Sequence, residues 1–529
     1  MAITSDAMNN QINPNAGPMR VDNEIVFLQE YDKMTSSIPF QTDSYKPSMD
    51  PQYPAEVETV HSYVESRGGI HDHVVMAGSQ PYIDALAEGT NLREINLARE
   101  YWAAHGVPFP YDMWKTVVND FGGRIPLRIR AVPEGMVLPN RNVLATVENV
   151  GGRATRAMTT WVETKYLSHI WYMSTVATNS WFIKELIGAY YEVSVDAGAE
   201  DPSLMFRLHD FGYRGVAPGA GPAGGCAHLF NFMGTDTFGA IPYAVRHYEA
   251  DPALTAYSIP AMEHSTVTSW GREREGAAFD NMTDTYAVNS SSLYAMVIDS
   301  YNPPDAVNYI TNPNGHIVQK LKATGATCVL RPDSGDPVSV LPQLIKIVAQ
   351  NVGFTTNKKG YKILNHFRFI WGDGIDALAI ESILRTMVGV MGFSAENFAF
   401  GMGGRLLQVV NRDDLEFAMK CSAVRLTDGS WRNVYKQPAG VISKNSKQGL
   451  VETFVAGNGW HDEPGKLYVR DIRDQESIKK MDLQSLLVDV FDTGTVKARW
   501  DLERVRKNTQ IVYDNAEKGH SAGVYASLI

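Results

Sequence analysis

The chain has 529 residues, 44% hydrophobic and 20% charged, with 48 Lys and Arg against 59 Asp and Glu for a net charge of −11. That composition folds around a sizeable core, and its acidity argues against non-specific binding to nucleic acid or to an anionic membrane. Three scattered cysteines (Cys226, Cys328, Cys421) and the lack of a CxxC pair exclude a disulfide framework and structural zinc, which fits a reducing, cytoplasmic setting.

Residues 1–37 read as a flexible tail. Met1–Glu24 is rich in Asn, Pro, Ser and Asp and has no apolar segment of the kind a signal peptide carries. No apolar run reaches the ~18 residues of a membrane helix. Thr42-Asp43-Ser44-Tyr45-Lys46 lies in a polar, Pro-flanked loop, and Val74–Ala104 reads as helices. Arg124–Val150 alternates apolar and polar residues around Pro and Gly, which predicts antiparallel strands. Arg156–Val193 has helical period, with Asn179-Ser180 as a candidate break.

From Leu204 the texture changes. Five short apolar runs end in small, polar or acidic loops: Leu204–Leu208, Tyr294–Ile298, Thr327–Leu330, Phe367–Trp371 and Asn397–Phe400. Helical segments such as Val338–Val352 and Ala377–Val390 lie between them. This repetition predicts a parallel α/β sheet or barrel, in which the loops after the strands build the active site. The Asp, Arg and Gly residues of those loops are therefore expected at one mouth. Toward the C-terminus, Arg432–Lys447 carries four basic residues and no acidic one, Gly449–Arg470 reads as strands and Glu476–Val490 as helix.

Taken singly, the motifs are modest. There is no GxxxxGK[ST], which argues against a P-loop ATPase. Gly219–Gly224 matches GxGxxG formally, but it stands far from a strand and contains Pro222, so it reads as a Gly-rich loop. His71-Asp72-His73 lacks further ligands at metal spacing and reads as a surface turn. Gly401-Met402-Gly403-Gly404 fits either a phosphate cradle or a tight turn. Carboxylates in Arg331–Asp336 and Gly372-Asp373-Gly374 suit ribose hydroxyls or Mg²⁺, or simply cap helices. His264 could be a base, a nucleophile or a cap-region residue. Arg432–Lys447 could bind polyphosphate or be a solvated loop.

Together the motifs carry more. His209-Asp210-Phe211-Gly212-Tyr213-Arg214-Gly215 follows Thr42–Lys46 and precedes Gly234-Thr235-Asp236-Thr237, Glu263-His264-Ser265-Thr266, Arg331–Gly335, Gly372–Gly374 and Gly401–Gly404. In this order they resemble the nicotinate/nicotinamide phosphoribosyltransferase family of type II phosphoribosyltransferases, from about residue 38 to the C-terminus. The resemblance implies an α/β fold: an atypical TIM-like barrel (181–429) beside an α+β domain built from both chain ends (38–180 and 430–529). It implies a head-to-tail homodimer with shared active sites. The implied reaction joins nicotinamide to phosphoribosyl pyrophosphate with Mg²⁺, giving the mononucleotide and pyrophosphate, and couples ATP hydrolysis through a phosphohistidine. Nicotinate as the base, or an idle homologue acting as a binding protein, are the alternatives.

By the same resemblance, Phe211 stacks on the pyridine ring, with Tyr45 of the second subunit opposite. Arg214 and Asp236 surround the ring and its carboxamide. His264 resembles the phosphorylated histidine, oriented by Asp299. Arg331 and Asp333 resemble phosphate and ribose contacts, and Gly372, Asp373, Gly403 and Gly404 a ribose and 5′-phosphate cradle. Arg67, Arg412, Lys420, Lys436 and Lys444 resemble the basic residues around pyrophosphate and ATP. Mg²⁺ is expected to sit mainly on substrate phosphates. Three departures stand out: Arg405 in the glycine run, bulky Trp371 before Gly372, and Asn302 where an acid is expected.

Overall fold

The computed structural model describes residues 34, 36–438, 445–457 and 465–515. At its centre is a six-stranded parallel sheet of β1 (Leu208–Asp210), β2 (Gly234–Thr235), β3 (Leu293–Val297), β4 (Thr327–Arg331), β5 (Phe367–Trp371) and β6 (Phe398–Met402), in the order β2-β1-β6-β5-β4-β3. All five pairings are parallel. The strands are short and buried, as expected where helices cover a parallel sheet. The return helices carry ordinary punctuation. Pro337–Val352 opens on Pro337 and stops at Gly353, whose φ of 76° suits glycine. Ala377–Leu384 is capped by Asp376, which accepts the Ala379 N–H at 2.9 Å.

An extended segment, residues 257–262, links the two edges of this sheet. Tyr257 donates its N–H to Met233 O (2.7 Å) and accepts from Thr235 N (3.2 Å) beside β2. Pro260 O accepts from Ala295 N (2.9 Å), and Met262 N donates to Ala295 O (3.0 Å) on β3.

A seven-stranded sheet interleaves early and late parts of the chain. Its order is Trp431–Asn433, Ala418–Leu426, Val57–Glu65, Val143–Asn149, Leu127–Ala131, Val488–Asp492 and Thr495–Val496. The two sheets have separate apolar cores, and one helix, Met158–Ser194, crosses from one to the other. At 1.5 Å per residue it is about 55 Å long. Trp161, Tyr166 and Ile170 pack with the seven-stranded sheet, whereas Met173, Val176 and Ile187 pack with the parallel sheet. The expected break at Asn179-Ser180 is absent. Asn179 Oδ1 pairs with His71 Nε2 (2.8 Å) and Ser180 Oγ with His228 Nδ1 (2.9 Å), so neither side chain competes for the helix backbone. No helix among the described residues is long and apolar enough to cross a membrane.

Other expectations need correction. Leu204–Leu208 is not a strand: Asp201 accepts from Ser203 N and Pro202 opens a 3₁₀ turn through Phe206, so β1 begins only at Leu208. Gly219–Gly224 is not merely a loop, because Gly221 starts a helix to His228 that packs tightly. A Cβ on Gly224 would lie 2.4 Å from Tyr172 Oη, and one on Gly225 2.8 Å from Ala240 Cβ. His71-Asp72-His73 is no surface turn: His71 stacks on Phe182 at 4.0 Å and His73 starts the strand His73–Val75. Only Gln475–Lys480 of the expected late helix forms. Leu483–Ser485 and Val488–Asp492 pair as strands, tertiary pairing overriding local preference.

Candidate active site

The carboxyl ends of the parallel strands meet over a small apolar floor. Ala295 (β3), Val329 (β4) and Ile370 (β5) are buried there, and Ala399, Ile259 and Phe211 pack against them. Phe211 directly follows β1, and its N–H donates to Met402 O at 2.9 Å, seating the β1 loop on β6. Its ring occupies space that only glycine leaves free. A Cβ on Gly401 would lie 2.0 Å from Phe211 Cε2, and one on Gly372 3.4 Å from the same atom. Gly401 therefore makes room for the aromatic ring, and Gly372 is in ordinary contact with it. Gly403 and Gly404 keep the β6 loop close to the β1 loop, with would-be Cβ positions 3.6 Å from Phe211 O and Gly215 O.

The polar groups stand around this floor. His264 opens a five-residue helix just past segment 257–262, with Glu263 N bonded to Thr266 Oγ1 (3.2 Å) to fix the turn. His264 Nε2 lies 2.9 Å from Asp299 Oδ1 at the end of β3. The Asp299 side chain is 4% exposed and that of His264 44%, so a buried acid orients an accessible imidazole. Burial opposes the charge on Asp299, but hydrogen bonds from Ser334, His264 and the Asp333 backbone outweigh it and hold the carboxyl below its ordinary range.

Arg331 ends β4, and its Nε is buried with no protein partner. An orphan guanidinium donor at a strand end suits an anion. Asp333 Oδ1 would lie 3.3 Å from a Gly372 Cβ, so Asp333, Gly372 and Phe211 adjoin. The indole N–H of buried Trp371 donates to Asp373 O at 2.7 Å, holding the β5 loop from beneath. That accounts for one departure. A second, Asn302, caps the helix Pro303–Ile310 by accepting from Asp305 N. Arg405 is exposed on the short helix Gly404–Leu407 after β6, and nothing in the structure explains it. Asp236 follows β2 and is exposed, as is Arg214 on the 3₁₀ turn after Phe211.

The remaining expected residues form a second group. Arg67 Nε donates to Glu65 Oε1 at 2.7 Å, Lys447 also pairs with Glu65, and Lys46 pairs with Glu163 at 2.5 Å. Among the described residues Arg412 pairs with neighbouring, exposed Asp413. Burial pulls the Lys420 ammonium below its ordinary range. Glu163 opposes the shift, while Arg67, Lys46 and Arg412 reinforce it. Tyr45 is 59% exposed beside Lys46, whose Nζ lies 5.1 Å from its ring centroid. Lys436 is exposed, and Lys444 lies outside the described residues. Among the described residues no hydrogen bond or ion pair joins this basic group to the strand-end group.

Sequence reasoning missed three contributors. Ser334 bonds Asp299 from within the Arg331–Asp336 motif, and its hydroxyl was a readable signal. Glu65 joins the basic group through β pairing with Ala418 across the chain and takes Lys447, the end of the basic stretch, as a partner. Ser258 donates to Asp236 Oδ1 at 2.5 Å from the irregular segment 257–262, which has no pattern to betray it.

A parallel sheet with carboxylates, a guanidinium and bare glycines at its strand ends is the layout of an α/β enzyme with its chemistry at that rim. Residues 206–494 match the nicotinate phosphoribosyltransferase (NAPRTase) family, and residues 37–129 match the nicotinamide phosphoribosyltransferase N-terminal domain. The chain is 42% identical to a nicotinamide phosphoribosyltransferase of Xanthomonas campestris pv. campestris, over 88% of this chain and 96% of that one. It is 28% identical to a nicotinamide phosphoribosyltransferase of Acinetobacter baylyi, over 73% and 76%. Nicotinate-nucleotide pyrophosphorylase from Pyrococcus furiosus shares the fold, with TM-score 0.58, 14% identity and coverage of 90% and 95%. Human nicotinic acid phosphoribosyltransferase does so at TM-score 0.50 and 15% identity, with coverage of 89% and 92%. The chain belongs to the nicotinate phosphoribosyltransferase family.

Proposed function

We propose that this protein transfers phosphoribosyl from phosphoribosyl pyrophosphate to nicotinamide, releasing pyrophosphate, in NAD biosynthesis. The observation that supports this reading is that Phe211 packs on the apolar floor while Asp236, Asp299 with its partner His264, and Arg331 stand at the ends of β2, β3 and β4 of the same sheet, in a member of this family. Nicotinamide is a neutral, weak nucleophile, so it needs positioning more than activation. Phe211 supplies one aromatic face, worth about 0.5–1.5 kcal/mol beyond burial. An acceptor carboxylate at Asp236 takes a hydrogen bond from the carboxamide NH₂. The same charge repels a nicotinate carboxylate, and like charges brought together cost several kcal/mol. Displacement at the anomeric carbon develops oxocarbenium character, which Asp333 and Asp373 stabilise beside the ribose. Arg331 takes phosphate charge, with Arg214 beside the ring.

Mg²⁺ fits this chemistry as a partner of the substrate. The substrate's phosphates supply the hard oxygen ligands it prefers. When bound it neutralises charge on the departing pyrophosphate.

His264, with Nε2 engaged by Asp299, is assigned as the site that takes the γ-phosphoryl of ATP on Nδ1, releasing ADP, before water cleaves the N–P bond to release inorganic phosphate and restore the imidazole. The basic group of Arg67, Arg412, Lys420, Lys436 and Lys444, with Tyr45, is assigned to the mouth of a second subunit. The partly desolvated Lys420, repelled by Arg67, Lys46 and Arg412 within one chain, supports that reading. We likewise take 257–262 as the segment that closes an atypical barrel over 181–429. Residues 38–180 with 430–529 form the companion α+β unit, and the protein resides in the cytoplasm.

The test offers purified protein phosphoribosyl pyrophosphate and Mg²⁺ with nicotinamide or nicotinate, each with and without ATP. Mononucleotide from nicotinamide, enhanced by ATP, is expected. His264→Ala should abolish the ATP enhancement, about 5–150-fold for a typical coupling free energy, while leaving basal turnover. Undiminished ATP dependence in that variant would remove the phosphohistidine.

A further inference from the structure

We propose that Ser258 is a positioning residue that sets the choice of base by holding the Asp236 carboxylate. The proposal rests on the reading of the reaction given above. Asp236 and Ser258 are both exposed, yet each is tied by its backbone to a fixed neighbour. Asp236 N donates to Asp210 O at 2.8 Å, and Phe238 N donates back to Asp236 O at 3.0 Å. Next to Ser258, Tyr257 exchanges backbone bonds with Met233 and Thr235, and Ile259 packs on the apolar floor beside Phe211. The Ser258 hydroxyl then donates to Asp236 Oδ1 at 2.5 Å, so the two side chains meet across the junction of β2 and segment 257–262.

That bond uses one oxygen of the carboxylate and fixes its rotation. Oδ2 is left as a directed acceptor for an amide N–H, and the negative charge is held at one point. Without the hydroxyl the carboxylate turns in solvent, meets the carboxamide less often, and can swing away from a negatively charged base. Ser258 thus favours the neutral amide twice over, by presenting an acceptor and by fixing a repulsion.

The experiment compares wild type, Ser258→Ala, Ser258→Thr, Asp236→Asn and the Ser258→Ala/Asp236→Asn pair on both bases. Charge-assisted hydrogen bonds at exposed positions support a rise in KM for nicotinamide of about 5–10-fold in Ser258→Ala, with kcat nearly unchanged. The ratio of kcat/KM for nicotinate over nicotinamide should rise by a similar factor, and Ser258→Thr should restore both. In the Asp236→Asn background the serine change should add almost nothing, because the two act as a unit. Ser258→Cys, a near-isosteric weak donor, carries the same test at smaller amplitude if the alanine variant fails to fold. Wild type that uses nicotinate alone overturns the reading of the reaction. Wild type that uses nicotinamide, with Ser258→Ala unchanged in KM and base ratio or equally damaging beside Asp236→Asn, overturns the role of Ser258 alone.

Discussion

The strand-end site and the basic group differ in how far their needs are met within one chain. At the strand ends, Asp299 is satisfied by Ser334 and His264, Trp371 holds the Asp373 loop, and Phe211 is seated against Gly401, while the Arg331 Nε stays open as a buried donor. The basic group instead gathers Lys46, Arg67, Arg412 and Lys420 around too few acids, and an Arg67 Nη2 is buried without a partner. One region holds an aromatic ring and its acids in fixed places. The other holds cations that repel one another among the described residues. Preorganisation fixes geometry and catalytic power, whereas unsatisfied charge gives affinity for a highly charged ligand.

The largest expected effect comes from spoiling the preorganised side. Gly401→Ala puts a methyl 2.0 Å from the Phe211 ring position, so the ring must move. A displacement of about 1 Å in a positioning group can cost 10²-fold, and kcat/KM should fall by about that much. Wild-type kinetics in a folded Gly401→Ala protein would show that Phe211 positions nothing.

The seam between the two cores offers the next test. Glu134 is fully buried there. It accepts from Gln80 N (2.6 Å), Gly78 N (3.3 Å) and Tyr248 Oη (2.5 Å), Tyr248 lying on the helix after β2. Burial pushes its carboxyl up to about 7 against these hydrogen bonds. The folded state therefore keeps a proton that the unfolded chain has lost between roughly pH 4.5 and 7, and stability falls as pH rises through that window, by on the order of 3 kcal/mol. Denaturant unfolding at pH 5 and pH 8 should show this fall. Glu134→Gln should flatten it, and an equal slope in that variant would place the titration elsewhere.

On the basic side the effect is smaller and depends on salt. Lys420→Ala should weaken pyrophosphate binding about tenfold, the usual worth of one charge-assisted hydrogen bond. The loss should shrink as ionic strength rises. Calorimetry at two salt concentrations reads both. Binding unaffected by Lys420→Ala would remove that residue from the polyanion site.

Much of the parallel sheet was legible because its strands are continuous apolar runs ending in polar loops; Phe367–Trp371 was read to the residue. β2 was invisible because two residues, Gly234-Thr235, carry no period. Segment 257–262 was hidden because Pro260 and isolated bridges break any strand pattern. In the seven-stranded sheet the neighbours are far apart in sequence: Val57–Glu65 pairs with Ala418–Leu426, a partnership that no local pattern encodes. For the same reason Arg67 and Lys420 could be linked only through resemblance to a family. The strand-end loops could be expected to converge from topology alone. The hydroxyl of Ser258 could not be placed, because a serine in a loop without a motif looks like any other until its acceptor is located.

The most direct test of the central claim gives the enzyme equimolar nicotinamide and nicotinate in one vessel, with phosphoribosyl pyrophosphate and Mg²⁺, and separates the products by charge. Nicotinamide mononucleotide as the dominant product is predicted, because a fixed Asp236 carboxylate welcomes an amide and repels an acid. Nicotinate mononucleotide as the dominant product would contradict it.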